Sequence, residues 1–116
     1  MARKLWRWNL SIEKRAPYRN KKLLAVAKMC PCMRCARIGN EFNPIEACHY
    51  TGPRSAALGK GKSQKPDDDC VAFLCRECHQ VMDGYENGDD KWQRSEEFLY
   101  YVVLTMNLLH RIGFEF

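Results

Sequence analysis

Two Cys-x-x-Cys pairs, Cys32/Cys35 and Cys75/Cys78, stand thirty-nine residues apart in a chain of 116. Each pair puts two thiolates on one tight turn, aimed at a single point. Two such turns supply four sulfurs, which close a tetrahedral zinc site and leave no position for a substrate. The spacing therefore predicts a structural Zn2+ held by Cys32, Cys35, Cys75 and Cys78, and a fold in which the first knuckle meets the second. An ion of this kind gives a small domain stability that a modest core does not supply. The pair Cys30-x-Cys32 overlaps the first knuckle, and the two-residue spacer selects Cys32 with Cys35. Cys30, Cys48 and Cys70 remain, and read as small buried hydrophobes.

A redox Cys-x-x-Cys is the competing use of these pairs. It normally opens a helix after a strand in a thioredoxin-like βαβ pattern, and no such pattern surrounds either pair. Seven cysteines cannot all pair with one another. The odd count argues against a disulfide scaffold and places the chain in a reducing cytoplasm. The length suits one domain, residues 1–116, without a second core. No run approaches the roughly eighteen apolar residues of a membrane span. The opening MARKLWRWNL carries charges and tryptophans where a secretory signal has its apolar run. A membrane protein and a secreted precursor are both disfavoured.

The net charge of +5 hides an asymmetry. Residues 1–65 carry fifteen Lys/Arg against three Glu, or +12, and residues 66–116 carry four against eleven Asp/Glu, or −7. A front half that basic points to a polyanion, nucleic acid above all; the plainer reading is a solvated surface.

Local patterns give the elements. Trp6, Trp8, Leu10 and Ile12 alternate with polar residues as in a strand-like arm. Pro17 opens a helix to about Met29, apolar at Leu23, Leu24, Val26 and Ala27 and basic at Arg19, Lys21, Lys22 and Lys28. Residues 1–29 thus form a basic arm and helix. Residues 36–44 read as a loop or hairpin. Ile45–His49 and Val71–Leu74 read as short strands, separated by a long loop over 50–70. Cys75 to Asp83 reads as a knuckle running into a short helix that Gly84 stops. After an acidic connector, Ser95 is a fitting N-cap for a C-terminal helix within 94–113. Phe98, Val102, Met106, Leu109 and Ile112 recur at helical spacing as core, and Gly113 ends that helix.

Strand, long loop, strand and helix make a ββα arrangement, over residues 30–84 with the knuckles. His79 and Asp83 stand at i, i+4, so the helix presents both on one face. An imidazole and a carboxylate there suit a divalent cation with open positions, Mg2+ or Mn2+. Without other context the pair would read as a hydrogen bond on a surface helix. His49, ending the first strand, supplies that context as a general base. Arg54, Lys60, Lys62 and Lys65 in the long loop are suited to neutralise backbone phosphates. Gly59-Lys-Gly-Lys-Ser lacks the spacing of a P-loop, which excludes nucleotide hydrolysis.

These residues resemble the HNH (ββα-metal, His-Me finger) endonuclease superfamily, and within it the small YbcO-like phage and prophage nuclease-associated proteins. The resemblance covers about half the chain. It rests on Cys32-x-x-Cys35, Glu46-Ala-Cys-His49, the loop Gly59-Lys-Gly-Lys-Ser-Gln-Lys-Pro-Asp-Asp68, and Leu74-Cys-Arg-Glu-Cys-His79-Gln-Val-Met-Asp83-Gly84. It implies a small α+β fold: a ββα-metal finger with a four-cysteine zinc knuckle pair and flanking helices. It implies His49 as general base, with Asp68 near the position of the residue that braces the loop or orients that base. It implies His79 as a metal ligand and Asp83 where many relatives carry a second metal histidine. The implied activity is metal-dependent hydrolysis of DNA phosphodiesters in phage or prophage DNA processing or recombination, in the cytoplasm of a bacterial host. The chain departs from the pattern at Cys48, where many relatives carry Asp or His as a further ligand; a thiolate suits Mg2+ poorly. A zinc-stabilised nucleic-acid-binding protein without catalysis is the alternative, and an adaptor that binds protein through the same scaffold is a third.

Overall fold

The computed structural model describes residues 17–61, 64–83 and 91–116. Helix α1, Lys21–Val26, tightens into a 3-10 turn over Ala27–Met29. Strand β1 is Ile45–His49 and strand β2 is Val71–Cys75. Helix α2, Arg76–Asp83, follows β2 without a break, and helix α3 is Lys91–Arg111. The described chain is a small α+β fold of two antiparallel strands and three helices. The anticipated arm over 1–16, Gly84, Lys62 and most of the acidic connector lie outside the described residues. None of the helices described is long and apolar enough to cross a membrane.

All five residues of β2 are buried, which explains its unbroken apolar run Val-Ala-Phe-Leu-Cys. One edge pairs with β1 in the register Ile45 to Cys75 and His49 to Val71. At its other edge, Thr105 of α3 accepts the Phe73 N–H at 3.0 Å, and the Phe73 carbonyl accepts the Met33 N–H at 2.8 Å. Those contacts satisfy backbone groups that would otherwise be costly to bury. Helix α3 lies on β2, α2 packs against both strands, and the first helix and its 3-10 turn pack on β1. Leu23, Phe73, Leu74, Met82, Phe98 and Leu109 fill the space between them.

Two helices differ at their N-terminal ends from what local signals predict. The first helix begins after Asn20, not at Pro17. The Asn20 side chain caps it by accepting the Leu23 N–H at 3.1 Å, while its own N–H donates to Asp68 Oδ2 at 2.7 Å. Tyr18 is held to the same loop: its N–H donates to Asp67 Oδ1 and its carbonyl accepts the Asp68 N–H. Helix α3 is already helical at Lys91, the first described residue after the connector, so Ser95 is no cap. Ser95 is buried one turn inside, and its hydroxyl bonds the Tyr50 hydroxyl. Tyr50 itself is wholly buried and meets Phe98 edge-on at 5.5 Å. Of the expected stripe, Phe98, Val102 and Leu109 are buried and Met106 partly so. Ile112 is 56% exposed, because the helix has ended and Gly113, at φ +76°, turns the chain. The 50–70 loop also carries structure, a 3-10 turn at Ser55–Leu58 and a bridge between Gly61 and Gln64.

Candidate metal centres and catalytic cleft

The two knuckles meet. The sulfurs of Cys32, Cys35, Cys75 and Cys78 all lie within 4.8 Å of one another. Cys35 and Cys75 are 3.8 Å apart, the edge of a tetrahedron of sulfurs about 2.3 Å from a central zinc. Backbone N–H groups of Arg34 and Cys35 point at the Cys32 sulfur, and that of Cys78 at the Cys75 sulfur, at 3.4–3.5 Å. Ala36, at φ +63°, bends the first knuckle so that its N–H reaches the Cys32 carbonyl. Two guanidinium groups face the sulfurs: Arg34 donates to Cys78 at 3.5 Å and Arg37 to Cys35 at 3.3 Å. Burial opposes charge on Cys35, but the Arg37 bonds outweigh it and bring the thiol down to about 6. Burial pushes the Cys78 thiol up to about 12 despite Arg34; a metal ion bound there would displace its proton. The donor set is compatible with a structural zinc site. Cys30 is buried outside the cluster, as the two-residue spacer required.

At the far end of the ribbon, His49 Nε2 and Asp68 Oδ1 are 2.8 Å apart. Asp68 is nearly inaccessible, and three partners hold it: His49, the Asn20 N–H and the Arg19 guanidinium at 3.6 Å. Burial works against its charge, yet the His49 and Asn20 hydrogen bonds, with Arg19, hold the carboxyl below the usual carboxylate range. Arg19 also donates to the Pro66 and Lys65 carbonyls, at 2.9 and 3.1 Å, and so clamps the loop that carries Asp68. Sequence reasoning missed Arg19 in this role, because its partners lie 46 and 47 residues away and leave no local signal.

The expected pair on α2 is also in place, with His79 Nε2 3.1 Å from Asp83 Oδ2. The opposite ring nitrogen, Nδ1, is 3.1 Å from Glu46 Oε1 on β1. Arg76 holds the other Glu46 oxygen, with both contacts at 3.4 Å. Glu46 is a second residue whose role sequence reasoning missed. Its signal was available, since it stands two residues before Cys48 and shares that face of the strand. Cys48 is buried, and burial, then Glu46 and Asp83, raise its thiol well above the ordinary range.

His49, Cys48, His79, Asp83, Lys60 and Lys65 line one open cleft of about 440 Å³. Arg54 does not line it; its guanidinium lies over the Trp92 ring, 5.5 Å from the centroid. The geometry therefore gathers two imidazoles, each tied to a carboxylate that an arginine holds, beside two lysines. No protein-family model, no curated protein and no solved structure matches the chain.

Proposed function

We propose that the chain is a metal-dependent endonuclease of the HNH (His-Me finger) kind that hydrolyses phosphodiester bonds in DNA, in phage or prophage DNA processing or recombination. The observation that carries this reading is the shared cleft. A braced imidazole, His49 on Asp68, opens into the same space as His79 and Asp83.

In this reading the Asp68 carboxylate fixes the His49 ring through Nε2. Nδ1 is then left to take a proton from water, and the buried carboxylate stabilises the imidazolium that results. His79 and Asp83 would hold a divalent cation, Mg2+ or Mn2+, at the Nε2 edge of the ring. Bound there, such a cation would supply charge stabilisation to the phosphate and the leaving 3′-oxygen. Lys60 and Lys65 neutralise flanking phosphates without reading sequence. The resemblance to HNH enzymes implies 5′-phosphate and 3′-hydroxyl products.

The test is a supercoiled plasmid incubated with protein and Mg2+, Mn2+ or chelator. Cutting is expected to need a divalent ion and to fall about 10²- to 10⁴-fold in His49→Ala. Equal cutting by wild type and His49→Ala sinks the mechanism. No cutting with either metal, by folded zinc-loaded protein that still binds DNA, would establish the non-catalytic binding role instead.

A further inference from the structure

An imidazole offers a metal only one nitrogen at a time while the other keeps its proton, so the two edges of His79 are alternatives. Asp83 Oδ2 faces Nε2 from the same helix, and Glu46 Oε1 faces Nδ1 from β1, each at 3.1 Å. Among the described residues, the third donor stands beside the Nδ1 edge. Glu46 and Cys48 leave the same face of β1, and one ligand atom from each of Glu46, Cys48 and His79 lies within 4.8 Å of the other two.

We propose that Glu46, Cys48 and the Nδ1 edge of His79 form a second metal site, which takes a borderline transition-metal ion of the zinc or cobalt class in preference to magnesium. The site shares its histidine with the cation proposed above and is the alternative to it at the opposite ring edge; its occupancy can be measured whether or not the cleft cuts DNA. The donor chemistry sets the class: one carboxylate, one imidazole and one thiolate suit zinc, whereas Mg2+ demands oxygen ligands. The geometry is close to what such an ion needs. Ligands about 2.0–2.1 Å from a tetrahedral ion sit roughly 3.3 Å from each other, against the 3.1 Å between Glu46 Oε1 and His79 Nδ1. The Cys48 sulfur has to stand about 3.6 Å from both, and it lies within 4.8 Å of each. On binding, a metal–sulfur bond forms and the thiol proton passes to solvent.

The surroundings support this assignment. Arg76 engages Glu46 Oε2 and leaves Oε1 for the ion. Asp83 then accepts the Nε2–H and fixes the ring, as a carboxylate does behind many metal-bound histidines. Cys48 and His79 both border the cleft, so the fourth position opens toward water or a phosphate oxygen. The ion is thereby open, unlike that expected between the two knuckles.

Metal counting on purified protein at chelator-buffered zinc tests the proposal, with Co2+ absorption as a second readout. Wild type is expected to bind two equivalents of zinc. Cys48→Ser and Glu46→Gln are expected to keep the circular dichroism of the fold and one equivalent, on the four cysteines. Asp83→Asn is expected to keep the second ion at about 10- to 100-fold lower affinity. Cobalt is expected to load in two steps, and Cys48→Ser to remove the thiolate-to-cobalt absorption of the weaker step only. A single equivalent in wild type overturns the site. So does a second equivalent that Cys48→Ser and Glu46→Gln leave untouched, or one abolished only by Asp83→Asn. Plasmid cutting on the same samples separates the two readings. A second equivalent without cutting keeps the site and removes the nuclease; Mg2+-dependent cutting with one equivalent keeps the nuclease and removes the site.

Discussion

The strand ribbon carries one cluster at each end. Where Ile45 pairs with Cys75, four cysteines converge; where His49 pairs with Val71, Asp68 reaches in from the loop. Four residue steps, about 13 Å, separate the ends. Helix α2 serves both. Cys78 faces the cysteine cluster, and His79, about 100° further round the helix, faces the cleft. Three of the four cysteines are at most 2% exposed, and their sulfurs are wrapped in backbone N–H groups and arginines. In the cleft the side chains of His79 and Glu46 are each 33% exposed and that of Asp83 is 52% exposed. A closed set of four sulfurs leaves an ion nothing to do but hold the chain. An open, mixed set leaves it a position for chemistry. The difference shows one eight-residue helix used first as a staple and then as a platform, so that the rigidity of the first cluster aims the second.

Removing zinc from the closed end should break the molecule; emptying the open end should not. Cys75→Ser, or chelation of the wild type, is expected to abolish the cooperative melting transition. The apparent binding energy of a structural zinc, about 10–16 kcal/mol in small zinc modules, rivals the whole stability of a small domain, about 5–15 kcal/mol. His79→Gln is expected to melt within a few degrees of wild type, since it leaves the core and the staple intact. Thermal melts followed by circular dichroism, with a zinc count on each sample, measure both. A Cys75→Ser protein that folds without zinc would erase the distinction between the two ends.

The closed end was legible because a knuckle is local: two cysteines and two spacers define it, and only the meeting of the pairs is tertiary. The strands were legible for the same reason, and Ile45–His49 falls on its expected residues. The open end was half legible. His79 and Asp83 share a helix face by spacing alone, whereas the link from Asp68 to His49 came only through resemblance. The anchoring groups were hidden. Asn20 caps the first helix with its side chain while its N–H goes to the distant Asp68, and Ser95 looks like a cap until the Tyr50 phenol takes its hydroxyl. At Ser95 a buried polar group from a distant segment outbid a local preference. Arg54, read from the sequence as a phosphate contact in a basic loop, does not line the cleft, and its guanidinium lies over an aromatic ring of α3.

Asp68 gives the open end a smaller structural share that pH should reveal. Its carboxyl is held below the ordinary aspartate value of 3.8. A depressed carboxylate stabilises the fold above that ordinary value, and the contribution disappears as pH falls through the lowered one. Asp68→Asn is expected to cost about 1.5–3 kcal/mol at neutral pH, the worth of hydrogen bonds to a charged group. The cost should shrink toward zero in acid. Urea midpoints of both proteins from pH 7 to the acid limb give the comparison. A wild-type excess that stays constant down that limb would show that Asp68 acts by shape and not by charge.

The smallest effect concerns the cleft walls. Lys60 and Lys65 border the cleft, and Lys65 meets Arg19 only through its backbone carbonyl, so truncating either side chain should leave stability within about 0.5 kcal/mol. Their expected signature lies in binding to duplex DNA. Each alanine variant should lower the slope of log K against log salt by about one, since each removes a single phosphate contact and its released counterions. Arg54→Ala serves as the internal control, because its guanidinium is committed to Trp92. Binding isotherms across a salt series read all three. If Arg54→Ala flattens the slope as much as Lys60→Ala, the DNA follows the outer loop and not the cleft. The open end would then lose its claim to the substrate even with its metal and its base in place.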